Sequence, residues 1–159
     1  MSSLRSVVKT GDIALCHTMI KEGADVNEKS EIYKEGGPLH IAVIYQKFDM
    51  CELLIKNGAD VNLKNKDRKT PLHFAISNPS LDINVCQLLL RHNADVDSEC
   101  RFGHTPLVDL IHTRSDHPPF RFNSSEYGNK TGWYMNDKLS KKQSFARLNL
   151  LFKHHTTLN

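Results

Sequence analysis

A five-residue word that recurs at a constant interval limits the fold of this chain more than any other feature of the sequence. The sequence Gly-Ala-Asp-Val-Asn occupies residues 23–27 and 58–62, and it returns as Asn-Ala-Asp-Val-Asp at 93–97. Each copy starts 35 residues after the one before it. A period of this length is typical of stacked structural repeats, each of which is too small to bury its apolar face alone.

A second word keeps the same register. Thr-Pro-Leu-His-Phe-Ala at 70–75 matches Gly-Pro-Leu-His-Ile-Ala at 37–42, and it begins again as Thr-Pro-Leu-Val at 105–108. Threonine and proline are typical of the start of a helix. Glycine, or asparagine in its place, is typical of the residue that ends one. The two words therefore predict pairs of short helices, and Ala42 and Ala75 are small where two helices would approach closely.

The Thr-Pro-Leu-His-x-Ala word and the period resemble the ankyrin repeat. The resemblance implies an all-α solenoid of stacked helix pairs with protruding hairpin-like fingers, in a single domain covering 1–159. It is clear over residues 2–112 and fainter over 139–159. We expect repeats at about 1–27, 28–62, 63–97 and 98–159, with helices near 2–9, 12–22, 38–45, 48–57, 71–77, 82–92 and 106–112.

The fourth repeat is interrupted. Residues of about 113–138 have loop composition, and the apolar pattern resumes at 139–154, so we interpret the first segment as an insertion between two helices. Arg147 stands where earlier copies have apolar residues, which favours a C-terminal cap, although the chain could also be cut from a longer array. The insertion is expected either to cap the last helices or to form a second binding site, because it contains Phe120, Phe122, Tyr127, Trp133 and Tyr134.

The cysteines also follow the repeat. Cys16, Cys51 and Cys86 are 35 residues apart, so they are expected at one equivalent buried position on successive second helices. Stacked helices lie roughly 8–10 Å apart, whereas a disulfide needs α-carbons within about 7 Å, so no disulfide is predicted. Cys100 falls in a finger and is expected to be an exposed, reduced thiol.

The resemblance also assigns structural roles. It implies that His40 and His73 form hydrogen bonds that tie neighbouring repeats, and Val108 replaces this histidine in the fourth repeat, which predicts a looser last repeat. Arg68 stands where the family usually has glycine, so we expect a distorted turn there. Cys100, His104, His112 and His117 could bind a metal. Because the finger and the helix end are expected in different parts of the repeat, neither a metal nor a cofactor is predicted.

Composition narrows the class of protein. Apolar residues make up 39% and charged residues 25%, and 21 basic against 18 acidic residues leave a net charge of +3. This balance does not require a nucleic acid or a membrane as the partner. The sequence has no apolar stretch of membrane-spanning length, no signal peptide, no phosphate-binding loop and no catalytic triad. We therefore expect a monomeric, non-enzymatic protein of the cytoplasm or nucleus.

The partner-binding residues are predicted from the resemblance, which implies a concave face built from the finger tips and the first helices. Of these residues, Tyr33, Tyr45, Arg101 and Phe102 are of the types that dominate protein interfaces. Tyr45 and Phe102 could instead pack against their own neighbouring fingers. The predicted set is Ile32, Tyr33, Tyr45, Lys64, Lys66, Lys69, Arg101, Phe102, His104 and His112.

The leading functional hypothesis is a protein–protein interaction module that inhibits or tethers its partner. In size and repeat type the chain is similar to small IκB-type inhibitors of Rel-type transcription factors, including compact viral ankyrin proteins. An adaptor or substrate-recognition subunit of a ubiquitin ligase is the alternative, as is a fragment of a larger ankyrin scaffold.

Overall fold

The computed structural model describes residues 3–29, 36–78 and 83–112, with the side chains of 110–112 left out of the description. These residues form seven α-helices and no strand. The helix ends agree with the predicted ones to within two residues. The helices are α1 (Leu4–Thr10), α2 (Ile13–Lys21), α3 (Pro38–Ile44), α4 (Phe48–Lys56), α5 (Pro71–Ser77), α6 (Ile83–Arg91) and α7 (Pro106–His112).

The helices stack in two layers. The first helices of successive repeats pack in the order α1, α3, α5 and α7, and the second helices pack in the order α2, α4 and α6. Within each complete pair the two helices also contact each other. This arrangement confirms the predicted all-α solenoid.

The residues of the repeated words begin and end the helices as predicted. Pro38 and Pro71 occupy the first turns of α3 and α5, where a missing amide proton costs nothing. Asn93 has a φ of +62° directly after α6, in the left-handed conformation that Gly23 and Gly58 adopt after α2 and α4. Asparagine tolerates this conformation better than other residues with a side chain, so the third copy ends its helix in the same way.

The core lies between the two layers and runs continuously through the repeats. Ala42 and Ala75 are fully buried where first helices meet, which confirms the close approach. Cys16, Cys51 and Cys86 are free and buried at equivalent positions of α2, α4 and α6, again as predicted. Burial raises the pKa of the Cys51 thiol to about 12 and also raises that of Cys16, so these thiols are apolar packing groups.

Several predicted features lie outside the described residues. They are the protruding tip of the first finger with Ile32 and Tyr33, the insertion at 113–138 with its aromatic residues, the second helix of the fourth repeat, Arg147 and His117. None of the described helices is both long and apolar enough to cross a membrane.

Candidate partner-binding surface

A ladder of side-chain amides holds the base of each finger at a fixed distance from the next. The Asn27 amide nitrogen donates to the carbonyl oxygen of Gly58 at 3.1 Å, and its oxygen accepts from the Asp60 backbone nitrogen at 2.8 Å. Asn62 repeats both bonds with Asn93 and Asp95, at 3.0 and 2.7 Å. The recurrent asparagine therefore has an inter-repeat role that its position in the word did not by itself reveal.

Two buried histidines tie the fingers to the helices behind them. Nδ1 of His40 accepts from the backbone nitrogen of Gly37, so its Nε2 is the protonated nitrogen and donates to the carbonyl oxygen of Lys69 at 3.0 Å. His73 accepts from Thr70 in the same way and donates to the carbonyl oxygen of His104 at 3.1 Å. The inter-repeat role implied for both residues is confirmed.

Burial sets the charge of these histidines. Because desolvation disfavours the imidazolium, it lowers the pKa of His40 to about 4 and lowers that of His73 as well. Both rings are therefore neutral at physiological pH. A neutral ring supplies the one acceptor and one donor that each tie needs.

The two fingers at 62–70 and 97–105 close with the same turn. The Arg68 nitrogen donates to the carbonyl oxygen of Asn65 at 2.9 Å, and the Gly103 nitrogen donates to that of Cys100 at 3.0 Å. Arg68 takes up the left-handed conformation with a φ of +58°, where Gly103 has +73°. The prediction of a distorted turn at Arg68 is therefore wrong, because the hydrogen bonds of the finger hold the arginine in the conformation that glycine adopts.

The prediction that Cys100 is exposed is also wrong, since its exposed fraction is 3%. Cys100 occupies the place that Asn65 has in the preceding finger, and the finger path turns both side chains inward. Ligand atoms of Cys100, His104 and Asp109 all lie within 4.8 Å of one another, a grouping that was not among the predicted metal candidates. The other two predicted candidates, the side chains of His112 and His117, are outside the description, so their expected separation from the finger stays a prediction.

Neighbouring fingers are joined directly near their tips. The Arg101 backbone nitrogen donates to the carbonyl oxygen of Asp67 at 2.9 Å, and Nη1 of Arg101 donates to Oδ1 of Asp67 at 3.0 Å. Nζ of Lys64 donates to the carbonyl oxygen of Glu99 at 3.3 Å. Asp67 therefore links the two fingers.

The exposed side of this pair of fingers is cationic and carries one aromatic ring. Lys66, Arg68, Arg101 and Phe102 are exposed, and Lys64 is partly exposed. The exposed fraction of Phe102 is 52%, and the Arg101 guanidinium carbon lies 5.7 Å from the centre of its ring. We call these five residues the finger surface. It includes Lys64, Lys66, Arg101 and Phe102 from the predicted binding set, and it adds Arg68.

Lys69 and His104 contact Asp109 behind this surface, and the His104 ring also lies 6.3 Å from the Phe102 ring. Nζ of Lys69 lies 2.6 Å from Oδ2 of Asp109, and the exposed side-chain fractions of the pair are 17% and 6%. Nδ1 of His104 lies 3.3 Å from Oδ1 of the same carboxylate. Asp109 takes the place of Phe74 and Ile41 in earlier repeats, and this charge at an apolar position was the signal that could have revealed the cluster.

Tyr45 and His112 complete the predicted set. Tyr45 is partly buried against the core, and Nζ of Lys9 lies 5.1 Å from the centre of its ring. The structure thus places Tyr45 at the end of α3 beside the first repeat, and in a packing role. His112 is the last residue of α7, and its side chain is among those not described.

The family assignment agrees with this architecture. The family model described as ankyrin repeats in three copies matches residues 4–100 and again residues 39–117. Because these matches cover well over half of the chain, the protein belongs to the ankyrin-repeat family. Ankyrin repeats are generally protein–protein interaction modules. A search of curated proteins finds no significant match to the chain.

Proposed function

We propose that the protein binds a partner protein through the finger surface and thereby inhibits or tethers it in the cytoplasm or nucleus. The observation that carries this proposal is Phe102, whose large apolar side chain is more exposed than any other in the described residues. It lies at the tip of a finger whose backbone is hydrogen-bonded to its neighbour. A ring that stays more than half exposed at the tip of a rigid finger is well placed to be covered by a partner.

Rigidity supports binding at this place. The His73 tie and the Arg101–Asp67 contacts hold the two fingers before any partner arrives. Binding therefore requires little ordering of the backbone, and ordering is a large part of what association costs. Aromatic and arginine side chains held in this way are the usual energetic centres of interfaces.

The charge of the finger surface indicates the chemistry of the partner. Lys64, Lys66, Arg68 and Arg101 are cationic, and they outnumber the two acids nearby: Asp67, which is buried against Arg101, and the exposed Glu99. An acidic segment that carries an apolar side chain for Phe102 would complement the surface. Such complementarity speeds association and excludes cationic competitors.

An IκB-type inhibitor of Rel-type transcription factors is one form that this function would take. Its support is the similarity in size and repeat type, which does not extend to any contact described above. The proposal that the fingers bind a protein stands independently of that identity.

Affinity capture followed by lysine cross-linking tests the proposal. The full chain is used to capture partners from cell extract, and the complex is cross-linked and analysed by mass spectrometry. Cross-links from Lys66 and Lys64 to acidic segments of one captured protein are expected. Lys21 and Lys56, on the second helices, are the internal controls and should link less often. Cross-links confined to lysines of residues 113–159 would contradict the proposal.

A further inference from the structure

We propose that Cys100, His104 and Asp109 form a zinc-binding site in the fourth repeat. The three residues offer a sulfur, an imidazole nitrogen and a carboxylate oxygen, and these ligand atoms lie within 4.8 Å of one another. Cys100 and Asp109 are buried and His104 is partly buried. A buried set of this kind differs from the scattered acidic groups of a protein surface.

The spacing suits a tetrahedral ion. With bonds of about 2.0–2.3 Å, the ligand atoms of a tetrahedral zinc site lie roughly 3.3–3.7 Å apart. Nδ1 of His104 and Oδ1 of Asp109 are already 3.3 Å apart. The widest pair of the cluster would need to close by at most roughly 1.5 Å, which rotation of side chains can supply.

The ligand types favour zinc over the harder cations. Sulfur and imidazole are preferred by zinc, whereas magnesium and calcium select oxygen ligands. The thiolate and the carboxylate are both anionic and therefore attract the ion, while Lys69 offsets one of their two charges. The fourth position would be left to water or to a further donor.

The surroundings of the site support the carboxylate in this role. Lys69 holds Oδ2 of Asp109 at 2.6 Å, which leaves Oδ1 directed toward His104. Ligating carboxylates commonly have such a hydrogen-bonded partner, which fixes their orientation. The Lys69 side chain therefore positions a ligand atom in addition to neutralising the acid.

The repeat register gives an independent argument. In the preceding repeat the three equivalent residues are Asn65, Lys69 and Phe74, none of which provides a comparable set. The fourth repeat changes all three to metal-ligating types, on two elements, while the turn backbone stays the same. The same repeat lacks the tying histidine, since Val108 replaces it. A metal would join the finger to α7 within this repeat.

Cobalt binding provides the test, with the full chain reduced by a non-chelating phosphine. We expect one Co²⁺ per chain, with thiolate-to-metal charge-transfer absorption and the visible bands of a tetrahedral site, all displaced by one equivalent of Zn²⁺. Zinc should also raise the melting temperature. The variants C100N and H104K, which restore residues of the preceding repeat, should lose the charge-transfer band or bind at least about tenfold more weakly.

Matched variants separate this site from other thiols and histidines. C86A and H92A remove a buried cysteine and an exposed histidine elsewhere, and both should bind cobalt like the unmodified chain. Circular dichroism establishes that each variant is folded; should C100N fail to fold, H104K carries the test. No charge-transfer band in the unmodified chain, or an unchanged band in both site variants, would overturn the proposal. None of these results depends on a protein partner.

Discussion

The third and fourth repeats have fingers with one backbone and different side chains. Their turns close with matching hydrogen bonds, from residues 65 and 69 in one and 100 and 104 in the other, at 3.0 and 2.9 Å. Yet Asp67 becomes Phe102 and Lys69 becomes His104. The repeated words thus specify a scaffold, and the positions between them are free to carry chemistry. The two repeats differ most where the finger surface and the metal-ligating set lie.

The largest expected difference concerns the tying histidine. His73→Val gives the third repeat the residue that the fourth repeat has at this position, and it removes the bond to the His104 carbonyl oxygen and the contacts with Thr70. With about 1 kcal/mol for each lost hydrogen bond, the variant should lose about 3 kcal/mol of unfolding free energy. Urea titration measures this. Val108→Ala is the matched control and should lower the free energy of unfolding by about 1 kcal/mol. Equal losses in the two variants would contradict a stabilising role of the His73 hydrogen bonds.

Ion pairs give the next contrast. Lys69→Met leaves the buried Asp109 carboxylate without its ammonium partner and should destabilise the fold by about 2 to 3 kcal/mol. Lys56→Met removes an exposed pair with Glu52 within α4, which solvent screens, so its effect should stay below about 0.5 kcal/mol. Both values come from urea titration at neutral pH. Similar losses in the two variants would show that burial of the first pair has no energetic consequence.

Lowering the pH should destabilise the fold through His40 and His73 before most carboxylates become protonated. The folded pKa of His40 is lowered to about 4, against about 6.5 when unfolded, so the unfolded chain binds more protons between these values. Stability is therefore fully present above about pH 6.5 and falls toward pH 4, by about 2 kcal/mol at pH 5 from His40 alone. His73 acts in the same direction. Urea titrations from pH 7.5 to 5 measure how the free energy of unfolding changes with pH, and His40→Gln should reduce this change. A free energy of unfolding that does not vary with pH would contradict the conclusion that the buried histidines are neutral.

The smallest effect on stability is expected when the turn residues of the two fingers are exchanged. Arg68→Gly should stabilise the chain by about 0.5 to 1 kcal/mol, because arginine is strained at a φ of +58° and glycine is not. Gly103→Arg should destabilise it by a similar amount. Thermal unfolding of the two variants checks the opposite signs. Shifts of the same sign would mean that side-chain contacts and not backbone strain control these turns.

The features that recur in every repeat could be predicted from the sequence. The predictions failed at residues that depart from the repeat. The helix ends and the buried thiols at 16, 51 and 86 follow from local chemistry at equivalent positions, and the role of His40 and His73 was implied by the resemblance to the ankyrin repeat. Cys100 was misjudged because its burial depends on the path of the finger. The Lys69–Asp109 pair was missed because it joins residues 40 apart in sequence, and only the stacking of repeats brings them together.

For the proposed binding surface, the sequence indicated the types of the exposed residues better than the directions in which the side chains point. Lys64, Lys66, Arg101 and Phe102 lie together as expected. Lys69 and His104, which directly precede the threonines of the second word, instead contact Asp109. A side chain at the base of a finger can point toward solvent or toward the helices. Which of the two it does depends on whether an opposite charge lies on the next helix. That charge stands at a position where earlier repeats have apolar residues.

The central claim, that a partner binds at the finger surface, is tested most directly by calorimetric titration of the captured partner. Phe102→Ala should weaken binding by about 2 kcal/mol, or roughly 30-fold in Kd, with little change in melting temperature, since the ring is more than half exposed. Leu15→Ala, which truncates an exposed apolar side chain on α2, should bind like the unmodified chain. Unchanged binding by Phe102→Ala, or an equal loss in Leu15→Ala, would contradict the account.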